Sequence, residues 1–320
     1  MCGLFGMTLP RHYPTDLIDR AEAVALLGEL AEERGRDSAG VALRLDDQAH
    51  AEHAWQVSKT LGPFRRLTAR RRLMVQLRSA GSVLGHTRWA TQGRVDLSNA
   101  SPLAVGTLLA THNGDVDPDT VPHRQARTGG AADDADARDR TDSEVLFGAL
   151  ATAHRSRVST ARLVQILTLT RGRSALAWTD TARSGGRVWL ARAGLSPLAV
   201  AHDVDGGLWW ASNPDWLRQL SRDLQLPFRR LTLVEEGTLL SATPMASHVR
   251  LVEHASFKPT VRARDARMLD VAVWRGFSQH DRDRDQVLLR HRVAQPLLPR
   301  LVDSSTTPPP RRAAPRAATR

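Results

Sequence analysis

The 320-residue chain is 41% hydrophobic, enough for a sizeable core in one or two domains; it has no run of 18 apolar residues to span a membrane, and its start does not read as a signal peptide. Its single cysteine, Cys2, rules out an internal disulfide and a multi-cysteine zinc site, and a free thiol suits the reducing cytoplasm, where we expect the protein. The net charge of +11 is concentrated at the end, since residues 256–320 hold fourteen Lys and Arg against six Asp and Glu, a net +8; no aromatic-studded groove accompanies it, so a solvated tail is favoured over a nucleic-acid surface.

In chain order, residues 2–9 are small, apolar and Gly-punctuated and read as a buried strand. Residues 15–34 place Leu17, Ile18, Ala21, Val24, Ala25 and Leu27 at helical spacing, with Thr15 as N-cap. A turn follows at 34–37, then strands over 38–45 and 55–58, an Arg-rich helix from Thr60 to Ala80, and a strand over 83–87 that feeds a loop, Arg88–Arg94. Residues 108–113 read as a strand ending in Gly114, and 117–141 as a flexible polar insertion. Two amphipathic helices, 143–153 and 160–170, precede short strands at 175–178, 188–191, 198–201 and 208–211. A helix over 214–224, two strands within 228–242 hinged at Glu235-Glu236-Gly237, and a last strand at 249–252 complete the pattern. Strands in two sets with helices clustered between them predict a layered α+β domain over residues 2–255. A C-terminal extension, 256–302, holds one further helix near 285–293, and a Pro-, Ala- and Arg-rich tail, 303–320, is expected to be disordered.

Removal of Met1 would leave Cys2 with a thiol and a free α-amine on one Cα. The amine titrates at about 7.7–8.0 and can accept the thiol's proton, so one residue supplies nucleophile and base. A lone early cysteine is equally a small buried hydrophobe. Three segments complement the thiol. In Gly85–Gly93, Arg88 offers a planar fork to a carboxylate. In Thr111–Asp115, the Asn113 amide and the Gly114 backbone can stabilise an oxyanion. In Arg140–Glu144, Asp142 can pair with an ammonium group. Taken singly, Arg88 also fits a surface ion pair, Asn113-Gly114 a tight turn, and Asp142 a helix N-cap.

Taken together, and in this order, the motifs resemble the class II glutamine amidotransferases, most closely the glutaminase domain of glucosamine-6-phosphate synthase. Cys2-Gly3, Arg34-Gly35-Arg36-Asp37-Ser38-Ala39-Gly40, His86-Thr87-Arg88-Trp89-Ala90-Thr91, His112-Asn113-Gly114 and Thr141-Asp142-Ser143-Glu144 carry the likeness, which extends over about residues 2–244. The resemblance implies an N-terminal-nucleophile hydrolase fold, a four-layer αββα sandwich of two antiparallel sheets between helical layers. It also implies the roles: Cys2 as nucleophile with its amine as base, Asn113 and the Gly114 N–H as oxyanion hole, and Arg88 with Thr91 on the α-carboxylate of L-glutamine. Asp142 would hold the α-ammonium, and Trp89 would gate a lid. No metal or cofactor is implied. Gln92 departs from the family pattern, which has His there. The implied reaction is glutamine hydrolysis through a γ-glutamyl thioester, with ammonia destined for a separate synthase partner. The alternatives are an amidohydrolase acting on another γ-glutamyl or small amide, and an idle scaffold.

Overall fold

The computed structural model describes residues 2–14, 18–45, 55–90, 93–122, 141–155, 158–183 and 185–260. Among these, thirteen strands make two sheets in which every pairing is antiparallel. The first sheet is built from β1 (Gly3–Thr8), β2 (Ser38–Leu45), β3 (Trp55–Leu61), β4 (Ala80–Arg88), β9 (Ala199–Asp203), β10 (Leu208–Ala211) and β11 (Phe228–Leu233), in the order β11-β9-β10-β1-β4-β2-β3. The second holds β5 (Leu103–Val105), β6 (Leu108–Val116), β7 (Gly172–Asp180), β8 (Val188–Gly194), β12 (Thr238–Pro244) and β13 (Val249–Ser256), in the order β13-β12-β8-β7-β6-β5.

Side chains alternate across each sheet, and this period of two generates three apolar layers. On β1, Leu4 points between the sheets, where it joins Ala42, Leu84 and Trp210 against Leu109, Ala175, Ala177 and Leu190 of the second sheet. Its neighbour Phe5 points the other way, into a core with α1 (Arg20–Ala31), α2 (Arg65–Thr68), α3 (Arg71–Arg78) and α6 (Pro214–Asp223). On β6 the same alternation sends Leu109 between the sheets and Leu108 and Ala110 outward. The outward pair pack under α4 (Asp142–Thr152) and α5 (Thr160–Leu169). The result is the expected four-layer order of helices, sheet, sheet, helices.

Several predicted elements are corrected. Helix α1 starts at Arg20, because Asp19 caps it by accepting from the backbone N–H groups of Ala21 at 2.9 Å and Glu22 at 3.3 Å; Thr15 lies outside the described residues. The segment expected as a single helix from Thr60 to Ala80 spans the end of β3, the helices α2 and α3, and the first residue of β4. Thr60 and Leu61 end β3, which is paired with β2 along its whole length. Gly62 then takes φ +87°, and Pro63 restarts the chain as two short helices. Of the apolar residues in this segment, Phe64, Leu67 and Leu73 are buried, whereas Leu61 is exposed. Strand β5 carried no signal, being three residues long. The hinge at Glu235-Glu236-Gly237 carries the chain from the edge of the first sheet, β11, into the second, β12, with Gly237 at φ +78°. Most of the 117–141 insertion, the helix near 285–293 and the basic tail lie outside the described residues. No described helix is long and apolar enough to cross a membrane.

Candidate active site

Register places the reactive groups before any distance is considered. Gly3 pairs with Thr87 and Leu4 with His86, so Cys2, one step earlier, lies beside Arg88. Cys2 has the parity of Leu4, Arg88 that of Leu84, and Asn113 that of Leu109, all three of which face the space between the sheets. The Cys2 thiol and the Arg88 guanidinium therefore meet at one open end of the inter-sheet layer, while the Asn113 amide, on the same inner face, is fully buried. His86 ties the two sheets there: burial pushes its pKa down to about 3, so the ring is neutral, and Nε2–H donates to the carbonyl of His112 at 2.9 Å.

A narrow cleft at this end is lined by Cys2, Arg88, Trp89, Gly114, Asp142 and Ser143, among others. Cys2 Sγ, partly buried, points its hydrogen at the Trp89 carbonyl at 3.8 Å. Burial pushes the Cys2 thiol up, while the positive charge of Arg88 works against that rise. Arg88 is the last residue of β4 rather than the start of a loop, because Ser38 of β2 pairs with it; its Nη1 donates to the Arg94 carbonyl at 2.8 Å. Trp89 is 56% exposed, so it is not a core aromatic. Thr91 lies outside the described residues.

Asn113 and Gly114 are not a turn. Strand β6 runs through them to Val116, which pairs with Gly172. A side chain at position 114 would run into the Arg173 carbonyl and, at 2.6 Å, His112 Nε2, so glycine is the residue that fits. Asp142 is not the N-cap either. Thr141 caps α4 in a reciprocal capping box with Glu144, which leaves Asp142 in the first turn. Its Oδ2 accepts from the Val116 N–H at 3.0 Å and its Oδ1 from the Ser143 N–H at 2.9 Å. Both contacts hold the carboxylate at the cleft with lone pairs to spare. Behind it, burial holds His112 below its usual range, and the ring bonds Ser143 Oγ at 2.9 Å.

Two contributions were not visible in the pattern. Arg34, read as a turn residue, is buried, with its guanidinium over the Trp216 ring at 5.6 Å. Burial lowers its pKa to about 10, against the opposing pull of Glu33 and Cys2, so it stays cationic near Cys2. Its Nε and Nη1 are buried without a partner among the described residues. Asp37 braces the chain where it leaves β4: its N–H donates to the Arg88 carbonyl at 3.0 Å, and its Oδ2 accepts from the Ala90 N–H at 2.7 Å. No signal other than the Arg34–Gly40 motif as a whole pointed to either.

Gly35 lies against the backbone of Arg88 and Trp89, leaving no room for a Cβ. Gly35→Ala is expected to cost about 1–3 kcal/mol through overpacking, because a Cβ there pushes the backbone of Arg88 and Trp89 out of register. Denaturant titration checks this; unchanged stability would show that the backbone yields freely there.

No family model matches the chain. It is 33% identical over 205 residues to the glutamine–fructose-6-phosphate aminotransferase (isomerizing) of Treponema pallidum, covering 62% of this chain and 28% of that protein. It is 30% identical over 120 residues to the amidophosphoribosyltransferase of Mus musculus, covering 36% of this chain and 22% of that protein. The chain thus spans well under half the length of the relatives it matches. Among solved structures, the allosteric regulatory enzyme of purine biosynthesis superposes with a TM-score of 0.57 at 17% identity, over 80% of this chain and 50% of the other. The glutamine phosphoribosylpyrophosphate amidotransferase of B. subtilis gives 0.54 at 17% identity over the same shares. By kinship and by fold, the chain is a relative of the class II glutamine amidotransferases and has the N-terminal-nucleophile hydrolase fold.

Proposed function

We propose that the chain hydrolyses L-glutamine to glutamate and ammonia. The observation that carries this reading is the meeting of Cys2, Arg88, Gly114 and Asp142 in one cleft. Free glutamine presents one carboxylate and one ammonium beside its side-chain amide, and one arginine and one aspartate beside a thiol are complementary to that zwitterion. A peptide-bound glutamine would leave both charges unanswered, which argues for the free amino acid.

In this reading Met1 is removed, and the α-amine of Cys2 takes the thiol proton. The thiolate attacks the amide carbon, and the carbonyl electron pair moves onto oxygen, where Asn113 and the Gly114 N–H stabilise it. Collapse of the adduct expels ammonia, which leaves with the proton held by the amine, and a γ-glutamyl thioester remains on Cys2. Water then attacks the thioester carbon, and glutamate and the free thiol are released. Trp89, on the exposed side of the cleft, closes over the substrate. The ammonia passes to an acceptor on a separate synthase. The relatives named above are an aminotransferase and a phosphoribosyltransferase, so a partner that aminates a sugar phosphate is the natural class.

Glutamate release from glutamine, measured with the wild-type chain and with Cys2→Ala, tests the reading; equal rates in the two would sink it. Arg88→Lys supplies a finer test. A point charge cannot replace a bidentate fork, and losing a desolvated charged contact costs on the order of 2–5 kcal/mol. We therefore expect kcat/KM to fall by about 30-fold or more, mostly through KM. A near-normal KM would remove Arg88 from carboxylate binding.

A further inference from the structure

Ser212 follows the last residue of β10 and is completely buried. Its Oγ accepts from the Leu4 N–H at 3.0 Å, while its own N–H donates to the Leu4 carbonyl at 2.7 Å. The same Oγ meets the side-chain amide of Asn113, whose Nδ2 donates to it at 3.2 Å. Ser212 therefore joins the strand that begins beside the Cys2 nucleophile to the residue assigned to the oxyanion hole. These two residues come from different sheets, and Ser212 touches both.

Hydrogen-bond accounting gives this contact a direction. As arranged, Ser212 Oγ accepts twice, and its own proton has no acceptor among the described residues. Asn113 Oδ1 is buried and has no partner among the described residues. Two groups are thus wasted at one contact, which is costly away from water. A half-turn of the amide about Cβ–Cγ removes both losses. Ser212 Oγ keeps the Leu4 N–H as donor and gives its own proton to Oδ1. What remains is an Nδ2 with hydrogens to spare in a buried site, which is what a developing oxyanion requires. The opposite orientation would turn a carbonyl oxygen toward that charge and repel it.

We propose that Ser212 is a positioning residue for the hydrolysis reaction. By donating to Asn113 Oδ1 it fixes the orientation of the amide, so that Nδ2 faces the oxygen of the tetrahedral adduct. This rests on the glutaminase reading and adds to it the residue that orders the oxyanion site. Arg88 and Asp142 are untouched by this device, so it acts on kcat and leaves glutamine affinity alone.

The test compares wild type, Ser212→Ala, Ser212→Thr, Asn113→Ala and the Ser212→Ala/Asn113→Ala double variant, each for glutamine turnover and for alkylation of Cys2 by iodoacetamide. Alkylation displaces iodide at a saturated carbon and develops no oxyanion, so it reads the thiol alone. Ser212→Ala is expected to lower kcat by about 10- to 100-fold, less than the 10²–10³ for removing an oxyanion donor outright because the amide is misoriented and not lost, with KM and the alkylation rate within about twofold of wild type. Ser212→Thr, which keeps the hydroxyl, should recover most of the loss. In the Asn113→Ala background, Ser212→Ala should cost nothing further, because the amide it orients is gone. If Ser212 merely braced β1 through Leu4, its loss would slow alkylation and would multiply with the Asn113→Ala loss; either result overturns the proposal. Normal turnover by Ser212→Ala overturns it too, and a wild-type chain that releases no glutamate overturns the glutaminase reading along with it.

Discussion

Replacing Cys2 with alanine is expected to reduce glutamine hydrolysis to background while leaving glutamine binding within about threefold of wild type. Losing a hydrolase's covalent nucleophile costs on the order of 10⁶ in kcat, whereas Arg88 and Asp142, proposed to answer the substrate's charges, stay in place. Retaining any residue ahead of Cys2 should have nearly as large an effect for a different reason. Burial already holds the thiol above its ordinary range, so little thiolate exists at neutral pH without a base. In the proposed mechanism the free α-amine is that base, with a pKa of about 7.7–8.0, and an acylated or extended N-terminus lacks it. The two cases are separable by alkylation, because Cys2 is the chain's single cysteine and labelling reports on it alone. With the amine blocked, labelling should be slow at pH 7 and climb through the alkaline range, since a raised pKa moves thiolate formation to higher pH. With the amine free, labelling should already be fast near pH 8. A blocked chain that hydrolyses glutamine at the free chain's rate would refute the single-residue nucleophile and base.

The parts of this architecture that could be read from the sequence are those in which one residue type has one physical use. The short, mostly apolar strands read at 38–45 and 208–211 coincide with β2 and β10, which are buried along their length because each face meets a different apolar layer. The single thiol, the Asn-Gly pair and the Thr-Asp-Ser-Glu helix start were likewise visible as chemistry. What failed was local competition that only the partner strand decides. Thr60 and Leu61 fit the helical pattern that follows them, yet the ladder with β2 holds them extended. Gly114 carries a turn signal, yet β7 continues the pairing past it to Val116. The contacts made by Arg34, Asp37 and Ser212 could not be read from local spacing, since each acts on residues far away in the chain. Ser212 meets Asn113 across 99 positions, and nothing in local spacing encodes that contact.

Asn113→Ala is expected to lower kcat by about 10²–10³, the scale of one lost oxyanion donor, with KM nearly unchanged. The residue is fully buried on the inner face of β6, and truncating its amide removes no group that faces the substrate's carboxylate or ammonium. The strand itself should persist, because its hydrogen bonds to β7 come from the backbone, with Asn113 opposite Ala175. The loss should therefore appear in chemistry before it appears in stability. Removing the amide also leaves Ser212 without its side-chain partner, at a cost of about 1 kcal/mol. Urea titration should detect that shift, although it is too small to unfold the chain. The opposite pattern, a large loss of stability with a normal kcat in the folded fraction, would show that Asn113 serves to join the two sheets through Ser212. Asn113→Asp sharpens the distinction. An aspartate keeps the size and can still accept from the Ser212 hydroxyl, but it brings negative charge to the place where negative charge must form. Turnover should fall at least as far as in the alanine variant, while the contact with Ser212 survives. If Asn113→Asp instead retained wild-type kcat, the oxyanion would have to be stabilised elsewhere, by the Gly114 N–H and Arg34.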